Sequence, residues 1–420
     1  MTTTTSPRQS QSRRTRHWDR ALWAAQWTLG MALIGAGIFK LALPDSQAAE
    51  QFPWAAQYPD LFTGTSVLDI IGGLGLLLPA LTKVFPWLTW LAAGGVFALM
   101  ASATVFHLFR GEAEEVGGNI TLALIAALVA WGRLRIAPIV ARLPEPQRYP
   151  GPLPDARPPL EMKVFQLPTG SYTTPAALAF RGGSPGEQRS FASTAVLIEH
   201  PQGDLLIDAG LGRNAAKHIA SLPSYRRSPH ALNLKASDQL HEHGYDLSRL
   251  RGVLVTHTHW DHVSGLDSLD VPVWITAEEL SYAQKATGDR VFTEVADGNE
   301  FVLYGFDGPP HLGFPASHDV YGDGSVVIVP AKGHTAGSVI VFVALPDGRR
   351  YAFIGDLAWQ MDAITGRVER PLLMQRLADS NPKQIRTDLS RIIAIADRYR
   401  IVPAHDARGY DGIPLMQPGR

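Results

Sequence analysis

The sequence contains no cysteine among its 420 residues. This absence excludes disulfide bonds, thiolate zinc sites and cysteine nucleophiles. Neither sign of charge is in excess, because the formal net charge is -1 at pH 7. The composition therefore gives no indication of a nucleic-acid partner or an acidic substrate.

Polar interruptions are scarce in the first third of the chain. A basic tail at 1–20 is followed by four apolar runs, each near the roughly 20 residues that a helix needs to cross a bilayer. Helices of a soluble bundle would carry a polar stripe, and the first run lacks the cleavage site of a secretory signal peptide. The sequence therefore predicts an all-α, four-helix transmembrane domain at 21–135. Its runs are about Ala21–Leu43, Phe62–Leu81, Val84–Phe109 and Gly118–Leu134.

Basic residues predict the orientation of this domain. The tail carries five arginines, whereas the loop after the first run is acidic, with Asp45, Glu50 and Asp60. Further arginines follow the fourth run, beginning at Arg133 and Arg135. By the positive-inside rule, we expect a multi-pass membrane protein whose termini and C-terminal domain are cytoplasmic.

Four polar residues interrupt the apolar runs: Lys40, Asp69, His107 and Asn119. With the expected orientation, all four fall toward the outer ends of their spans. Ionisable groups in spans usually face a protein interior or a water cavity, so the four could form a functional cluster. The alternative is that the long side chains reach the membrane interface individually.

Short motifs in this half resemble the DoxX-like family of small four-span membrane proteins. They are Gly37-Ile38-Phe39-Lys40-Leu41, the segment Asp69–Pro79, and His107 near the end of the third run. The resemblance covers about residues 20–135. It implies a four-span fold and little specific chemistry.

A proline-rich segment at 136–161 is predicted to be a semi-rigid linker. The texture of short strands and turns that follows it defines a second domain at 162–420. Gly252–Thr256, Arg350–Ile354 and Ile401–Ala404 are predicted strands that each end next to a histidine or aspartate. Helices are predicted at Ala277–Ala286 and, from its apolar spacing, at Pro382–Tyr399. A rigid sheet carrying its polar residues on loops is typical of an enzyme.

Metal-ligating side chains recur in this second domain at the spacing of a two-metal site. An HxHxDH pattern starts at His257, and three further candidates follow it. Imidazole and carboxylate ligands suit zinc, and also iron or manganese. The sequence therefore predicts two divalent metal ions, with zinc favoured. The candidate ligands are His257, His259, Asp261, His262, His334, Asp356 and His405.

The local geometry divides these ligands into two groups. Residues at i and i+2 of an extended segment point the same way, so His257 and His259 can bind one ion. Asp261 and His262 lie on the following turn and can reach a second position. The first ion is assigned to His257, His259 and His334, the second to Asp261, His262 and His405, with Asp356 bridging both.

Five motifs in the same order resemble the metallo-β-lactamase fold superfamily. They are Leu206–Gly210, Thr256–Gly265, Gly333–Ser338, Ile354–Asp356 and Pro403–Asp406. The resemblance implies an α+β domain, an αββα sandwich with the metals at one edge of the paired sheets. It also implies that Asp208 orients a ligand rather than binding metal.

The expected reaction is hydrolysis by a metal-bridged hydroxide. Asp261 would hold the second metal and also orient or deprotonate the nucleophile. The spacings are similar to those of acyl-homoserine lactonases and glyoxalase II, so an ester-like small-molecule substrate is expected, with a lactone favoured. One departure is Trp359, which stands where such lactonases often have a tyrosine. The substitution matters because an indole N–H can only donate a hydrogen bond, whereas a tyrosine hydroxyl can both donate and accept.

Three alternatives remain open from the sequence. A mononuclear iron oxidoreductase of the persulfide dioxygenase type would need one iron only. A phosphodiesterase or nuclease would be expected to carry a basic patch near the motifs, which is absent. A membrane-tethered binding module would bind metal without turnover. The fusion to a membrane domain suggests membrane lipid as a second partner, through a substrate that partitions into the bilayer.

Overall fold

A computed structural model of the chain describes residues 7–83, 85–222, 227–285 and 290–416, in two compact units, 1–141 and 142–420. Three sets of residues named above lie outside the described residues. They are the first six residues of the basic tail, Val84 at the start of the third run, and Ala286 at the end of a predicted helix.

The first unit is helical. Its described helices are α1 (Pro7–Ala42), α2 (Asp45–Gln51), α3 (Pro53–Gln57), α4 (Pro59–Thr82), α5 (Leu88–Phe109) and α6 (Val116–Arg135). The four long ones, α1, α4, α5 and α6, contain segments long and apolar enough to cross a membrane. This confirms the predicted four-helix fold. Helix α1 begins before its apolar run, because no proline or glycine interrupts the polar segment ahead of it.

Close packing joins α1 to α4. A Cβ atom added at Gly73 would lie 2.6 Å from the carbonyl oxygen of Gly30, and one at Gly37 would lie 2.5 Å from that of Ser66. Small residues at such contacts allow two helix backbones to approach each other, which is a common way for membrane helices to associate.

Three of the four polar residues of the apolar runs have a side-chain partner. Lys40 Nζ donates a hydrogen bond to Asp69 Oδ2 at 2.8 Å, and His107 Nδ1 lies 2.7 Å from Glu112 Oε2. Asn119 is half-buried on α6. Lys40 therefore has a protein partner rather than reaching the interface alone, while a functional cluster of all four residues stays a prediction.

The second unit contains two β-sheets. Its strands are β1 (Lys163–Pro175), β2 (Gln188–Glu199), β3 (Asp204–Ile207), β4 (His230–Leu232), β5 (Leu250–Leu254), β6 (Val273–Ile275), β7 (Phe301–Leu303), β8 (His318–Asp319), β9 (Val326–Pro330), β10 (Val339–Ala344), β11 (Arg350–Phe353) and β12 (Arg400–Val402). The seven-stranded sheet has the order β4-β1-β2-β3-β5-β6-β7, and the five-stranded sheet has the order β12-β11-β10-β9-β8.

Helices cover this pair of sheets. They are α7 (Ala176–Ala179), α8 (Ala215–Ser221), α9 (Ala236–Glu242), α10 (Trp260–Val263), α11 (Ala277–Lys285), α12 (Arg290–Val295), α13 (Met361–Gly366), α14 (Leu372–Ala378) and α15 (Pro382–Ile395). Alternate residues of β2 face different cores: Ile198 packs with Val341 of the other sheet, whereas Leu197 packs with Leu240 of α9. The αββα sandwich expected from the sequence is confirmed.

Parallel strand pairs bring the polar loops to one edge. Strands β3 and β5 are parallel neighbours, and they lead into Asp208 and the loop that begins at His257. Strands β11 and β12 are likewise parallel, and they lead into Asp356 and His405. Since parallel strands end at the same edge of a sheet, each pair delivers its two loops side by side.

Residues 136–161 form no helix or strand within the described part of the chain. From Leu143 onward this segment is hydrogen-bonded to the second unit, for example from Leu143 N to Arg367 O at 2.6 Å and from Arg157 N to Asp323 O at 2.8 Å. The domain boundaries predicted from the sequence stay predictions.

Candidate metal centre

Asp208 organises the loop that carries the HxHxDH pattern. Its carboxylate accepts hydrogen bonds from Thr256 N at 2.7 Å and from Thr256 Oγ1 at 2.9 Å. The same carboxylate lies 2.8 Å from His262 Nδ1. Asp208 adopts a left-handed backbone conformation with φ of 55°, which few residues other than glycine, asparagine and aspartate accept readily. Asp208 thus contacts the outer nitrogen of a candidate ligand, as the resemblance implied.

The seven candidate ligands lie together in two groups. Within each group, one potential ligand atom per residue lies within 4.8 Å of every other. The groups are His257, His259, His334 and Asp356, and Asp261, His262 and His405. The groups contain the residues assigned from the sequence to each ion, except that Asp356, expected to bridge both ions, is grouped with the first three histidines. Metal binding by these residues remains a proposal.

Asp356 lies between the two groups. Its Oδ2 atom is 3.2 Å from His334 Nε2 in the first group. Its Oδ1 atom is 3.0 Å from His405 Nε2 and 3.3 Å from His262 Nε2 in the second. Despite those two short distances, Oδ1 is buried and accepts no hydrogen bond among the described residues. A buried carboxylate oxygen that lies among ring nitrogens without accepting a hydrogen bond suits a cation.

Ring nitrogens face one another inside the centre. His259 Nδ1 lies 3.1 Å from His257 Nε2 and 2.9 Å from His334 Nε2, and the Nε2 atoms of His262 and His405 are 3.3 Å apart. Nitrogens that converge in this way offer their lone pairs to a shared position. The donor set therefore fits divalent ions of the kind that imidazole and carboxylate bind.

The outer nitrogens of several ligands have their own partners. His334 Nδ1 lies 3.0 Å from Asp379 Oδ1, and His405 Nδ1 donates to the carbonyl oxygen of Ala192 at 2.8 Å. Such partners fix the ring orientation and leave Nε2 as the ligand atom. Asp379 carries no sequence signal, because its contact with His334 spans 45 residues.

Burial and neighbouring charges favour the ligand forms of two residues. Burial lowers the pKa of His257 well below its ordinary value, and the neighbouring imidazole of His262 lowers it further. Burial alone would raise the pKa of Asp356, but the imidazoles of His405 and His262 outweigh it and hold that pKa well below the usual range. A neutral imidazole and an ionised carboxylate are the forms that bind metal. The neighbouring aspartates raise the pKa values of His262 and His405 despite the burial of both rings, so a metal ion would have to displace protons from these two imidazoles.

Two aromatic residues donate to the candidate carboxylates. Trp359 Nε1 donates to Asp356 Oδ2 at 2.7 Å, so the indole that departs from the lactonase pattern contacts the bridging candidate. Tyr172 of β1 donates its hydroxyl to Asp261 Oδ2 at 2.8 Å. Burial raises the pKa of Tyr172, and Asp261 raises it further, so the phenol keeps its proton. Tyr172 lies outside every motif and was not predicted from the sequence.

Asp406 lies beside the centre and is bonded away from it. Its carboxylate accepts from Met361 N at 2.8 Å and from Arg408 Nε at 2.8 Å. Asp406 is therefore occupied by other donors and joins neither group of candidate ligands.

Comparison with known proteins assigns both halves of the chain. Residues 189–405 match the metallo-beta-lactamase superfamily, and residues 24–129 match the DoxX-like family. A protein of Mycobacterium tuberculosis named as a probable metallo-hydrolase is 30% identical over 230 residues, which are 50% of this chain and 73% of that protein. A protein of the same description in Mycobacterium bovis matches to the same extent.

One further relative and one solved structure carry more specific names. An N-acyl homoserine lactonase of Rhizobium johnstonii is 25% identical over 177 residues, which are 40% of this chain and 65% of that protein. A solved N-acyl homoserine lactone hydrolase, with N-hexanoyl-L-homoserine bound at its catalytic metal centre, has a TM-score of 0.49 and 15% identity. That match covers 62% of this chain and 98% of the other. Together with the αββα fold and the two groups of candidate ligands, the match over 189–405 and the relatives of 30% identity show that this chain is a metallo-hydrolase of the metallo-β-lactamase superfamily, with an N-terminal segment at 24–129 that is similar to the DoxX-like family.

Proposed function

We propose that the chain is a membrane-tethered, two-metal hydrolase of an ester-like small molecule, with a lactone as the favoured substrate. The observation that carries this proposal is the position of Asp356, whose two oxygens each face one group of candidate ligands. The name of the Rhizobium johnstonii relative supports a lactone.

Seven residues would hold two divalent ions, zinc in the first instance. The first ion falls to His257, His259 and His334, the second to Asp261, His262 and His405, and Asp356 is shared. Two such ions, when bound, lower the pKa of water and polarise a carbonyl oxygen.

The protein's own side chains supply orientation and proton handling. Asp261 accepts a hydrogen bond from Tyr172, which fixes one carboxylate oxygen and leaves the other to orient or deprotonate the attacking water. Tyr172 keeps its proton in this environment, so its hydroxyl is a donor near the second group. Trp359 and Arg370 hold Asp356 in place, because the first donates to its carboxylate and the second to its backbone carbonyl oxygen.

A panel of substrates with metal analysis tests this proposal. The purified full chain in detergent is offered a lactone, a thioester, a phosphodiester and a glutathione persulfide, and its metal content is measured in parallel. We expect two ions per chain and chelator-sensitive hydrolysis, fastest for the lactone. One iron with persulfide oxidation would indicate an oxidoreductase instead, fastest cleavage of the phosphodiester a phosphodiesterase, and metal without turnover a binding module.

The membrane domain leads to a second expectation, that the substrate carries an acyl chain and enters from the lipid phase. The four apolar helices support it, and the catalytic unit is taken as cytoplasmic from the distribution of arginines. The full chain in lipid vesicles should prefer long-chain over short-chain lactones more strongly than it does in detergent. Equal preferences in the two media would contradict the expectation.

A further inference from the structure

Glu279 is a buried carboxylate outside the proposed ligand set. Its side chain lies in the first turn of α11, and the residue is 1% exposed. Oε1 accepts hydrogen bonds from Thr258 N and Thr258 Oγ1, both at 2.8 Å. Oε2 accepts from Thr335 Oγ1 at 2.7 Å and from Gly337 N at 2.9 Å. All four donors are neutral backbone or hydroxyl groups, so the carboxylate is held by hydrogen bonds rather than by an ion pair.

These donors belong to the two loops that carry the first group of ligands. Thr258 stands between the first two histidines of the HxHxDH pattern, and Thr335 directly follows His334. One carboxylate therefore fixes the distance between both loops. The second group has other partners, namely Asp208, Tyr172 and the carbonyl oxygen of Ala192.

The loop after His334 fits closely against Glu279. A Cβ atom added at Gly337 would lie 2.3 Å from Glu279 N and 2.5 Å from Glu279 Cβ, so only glycine allows this approach. The backbone of Glu279 is fixed in turn, since its N–H donates to Thr276 Oγ1 at 3.2 Å. The carboxylate is thus presented to both loops from one rigid position.

We propose that Glu279 is a positioning residue for the first ion alone. It holds the imidazoles of His257, His259 and His334 at their mutual distances without touching the ion. The inference rests on the proposed metal centre. Replacing Glu279 with glutamine puts an N–H group where two donors now point, which would separate the loops and weaken binding of the first ion, as loss of a supporting hydrogen-bond partner commonly does.

Zinc affinity in single-site backgrounds tests the inference. The full chain in detergent is prepared with His405→Ala, which keeps the first group, or with His334→Ala, which keeps the second. Zinc dissociation constants are measured by competition with a chelator. Glu279→Gln should weaken zinc binding by about 10- to 100-fold in the His405→Ala background and leave it unchanged in the His334→Ala background. Glu278→Gln is the matched control, because Glu278 is the exposed neighbour that pairs with Lys332.

Thermal unfolding of the metal-free variants shows whether each is folded. Equal zinc affinity of the Glu279→Gln and Glu278→Gln chains in the His405→Ala background would overturn the inference. So would an equal loss in both backgrounds, because the effect would then not be specific to the first ion. If Glu279→Gln does not fold, Thr335→Val, which removes one of the four hydrogen bonds, is judged by the same criteria.

The proposed function and this inference fail in distinguishable ways. If the unaltered chain binds no zinc, iron or manganese, both the proposed function and the role of Glu279 are wrong. If the unaltered chain binds two ions and the Glu279→Gln variant binds zinc with undiminished affinity, only the role of Glu279 is wrong.

Discussion

Buried charges are arranged differently in the first unit and in the candidate metal centre of the second. In the first unit Asp69 and Arg133 are buried, and each pairs with one group of opposite sign, Lys40 and Asp19 respectively. In the second unit, acceptor atoms of seven side chains converge on one another around Asp356. The first arrangement is electrically complete within the protein, whereas the second becomes favourable when cations occupy it.

This difference indicates which buried charges support folding and which support chemistry. Removing one partner of a matched pair in a membrane span leaves the other charge buried and unpaired, so the loss should be seen in stability. Loss of a residue from the convergent cluster should instead be seen in metal content and turnover. Four substitutions test this difference between the two arrangements. They are described below in order of expected effect, the largest first.

Removal of the shared carboxylate should have the largest effect. Asp356→Ala is expected to lower kcat/KM for the hydrolysed substrate by more than about 100-fold, since it should exceed what loss of an outer partner costs, and to reduce bound metal. Steady-state kinetics and elemental analysis measure both. Asp347→Ala, at an exposed turn where Asp347 pairs with Arg349, is the control. Undiminished activity of the Asp356 variant would mean that the catalytic groups lie elsewhere.

Breaking the ion pair of the first unit should lower stability instead. Lys40→Met leaves Asp69 buried without its partner, at a cost of about 2–4 kcal/mol in the free energy of unfolding. Thermal unfolding in detergent measures the loss, with metal content expected to be unchanged. Lys217→Met, which breaks an exposed pair with Glu294, should change stability by less than about 1 kcal/mol. Equal effects of the two substitutions would contradict the contrast.

The phenol beside Asp261 should matter for turnover more than for folding. Tyr172→Phe removes a hydrogen bond to a charged group and is expected to lower kcat by about tenfold. Tyr245→Phe is the matched control, because the Tyr245 hydroxyl donates to Asp204 Oδ2 at 2.6 Å away from the candidate ligands. If both variants lose the same activity, Tyr172 has no special role in the reaction.

Backbone contact in the first unit gives the smallest of these effects. Gly73→Ala places a methyl group against the carbonyl oxygen of Gly30 and should destabilise the contact between α1 and α4 by about 1 kcal/mol, the lower end of the range for overpacking. Gly94→Ala, where nothing lies within 4 Å of the added atom, should be neutral or slightly stabilising. Thermal unfolding in detergent compares the two, and a neutral Gly73 variant would show that the helices can separate slightly.

The local sequence pattern predicted the long helices, several strands and the two groups of candidate ligands. The apolar runs predicted four membrane helices because span length is a property of consecutive residues. Strands such as Gly252–Thr256 were predicted close to their final place in β5, because they are short and apolar. The HxHxDH spacing and the positions of His334, Asp356 and His405 predicted both groups, since each strand end presents its own ligand.

Contacts over long sequence distance were not predictable in this way. Tyr172 reaches Asp261 across 89 residues, and Glu279 reaches Thr335 across 56. Locally, Thr276 and Glu279 stand at the spacing of a capping box, a pattern that would direct the glutamate back to its own helix. In the folded chain the Glu279 carboxylate instead binds two loops that are distant in sequence. This choice depends on the packing of α11 against those loops.

The left-handed conformation of Asp208 restricts how this enzyme could be redesigned. A replacement there must accept an unfavourable torsion and also offer two acceptor oxygens to Thr256 and His262. Asparagine accepts the left-handed torsion but offers only one acceptor oxygen. Libraries that aim to alter selectivity would therefore do better to leave this position constant and to diversify residues that do not support the ligands.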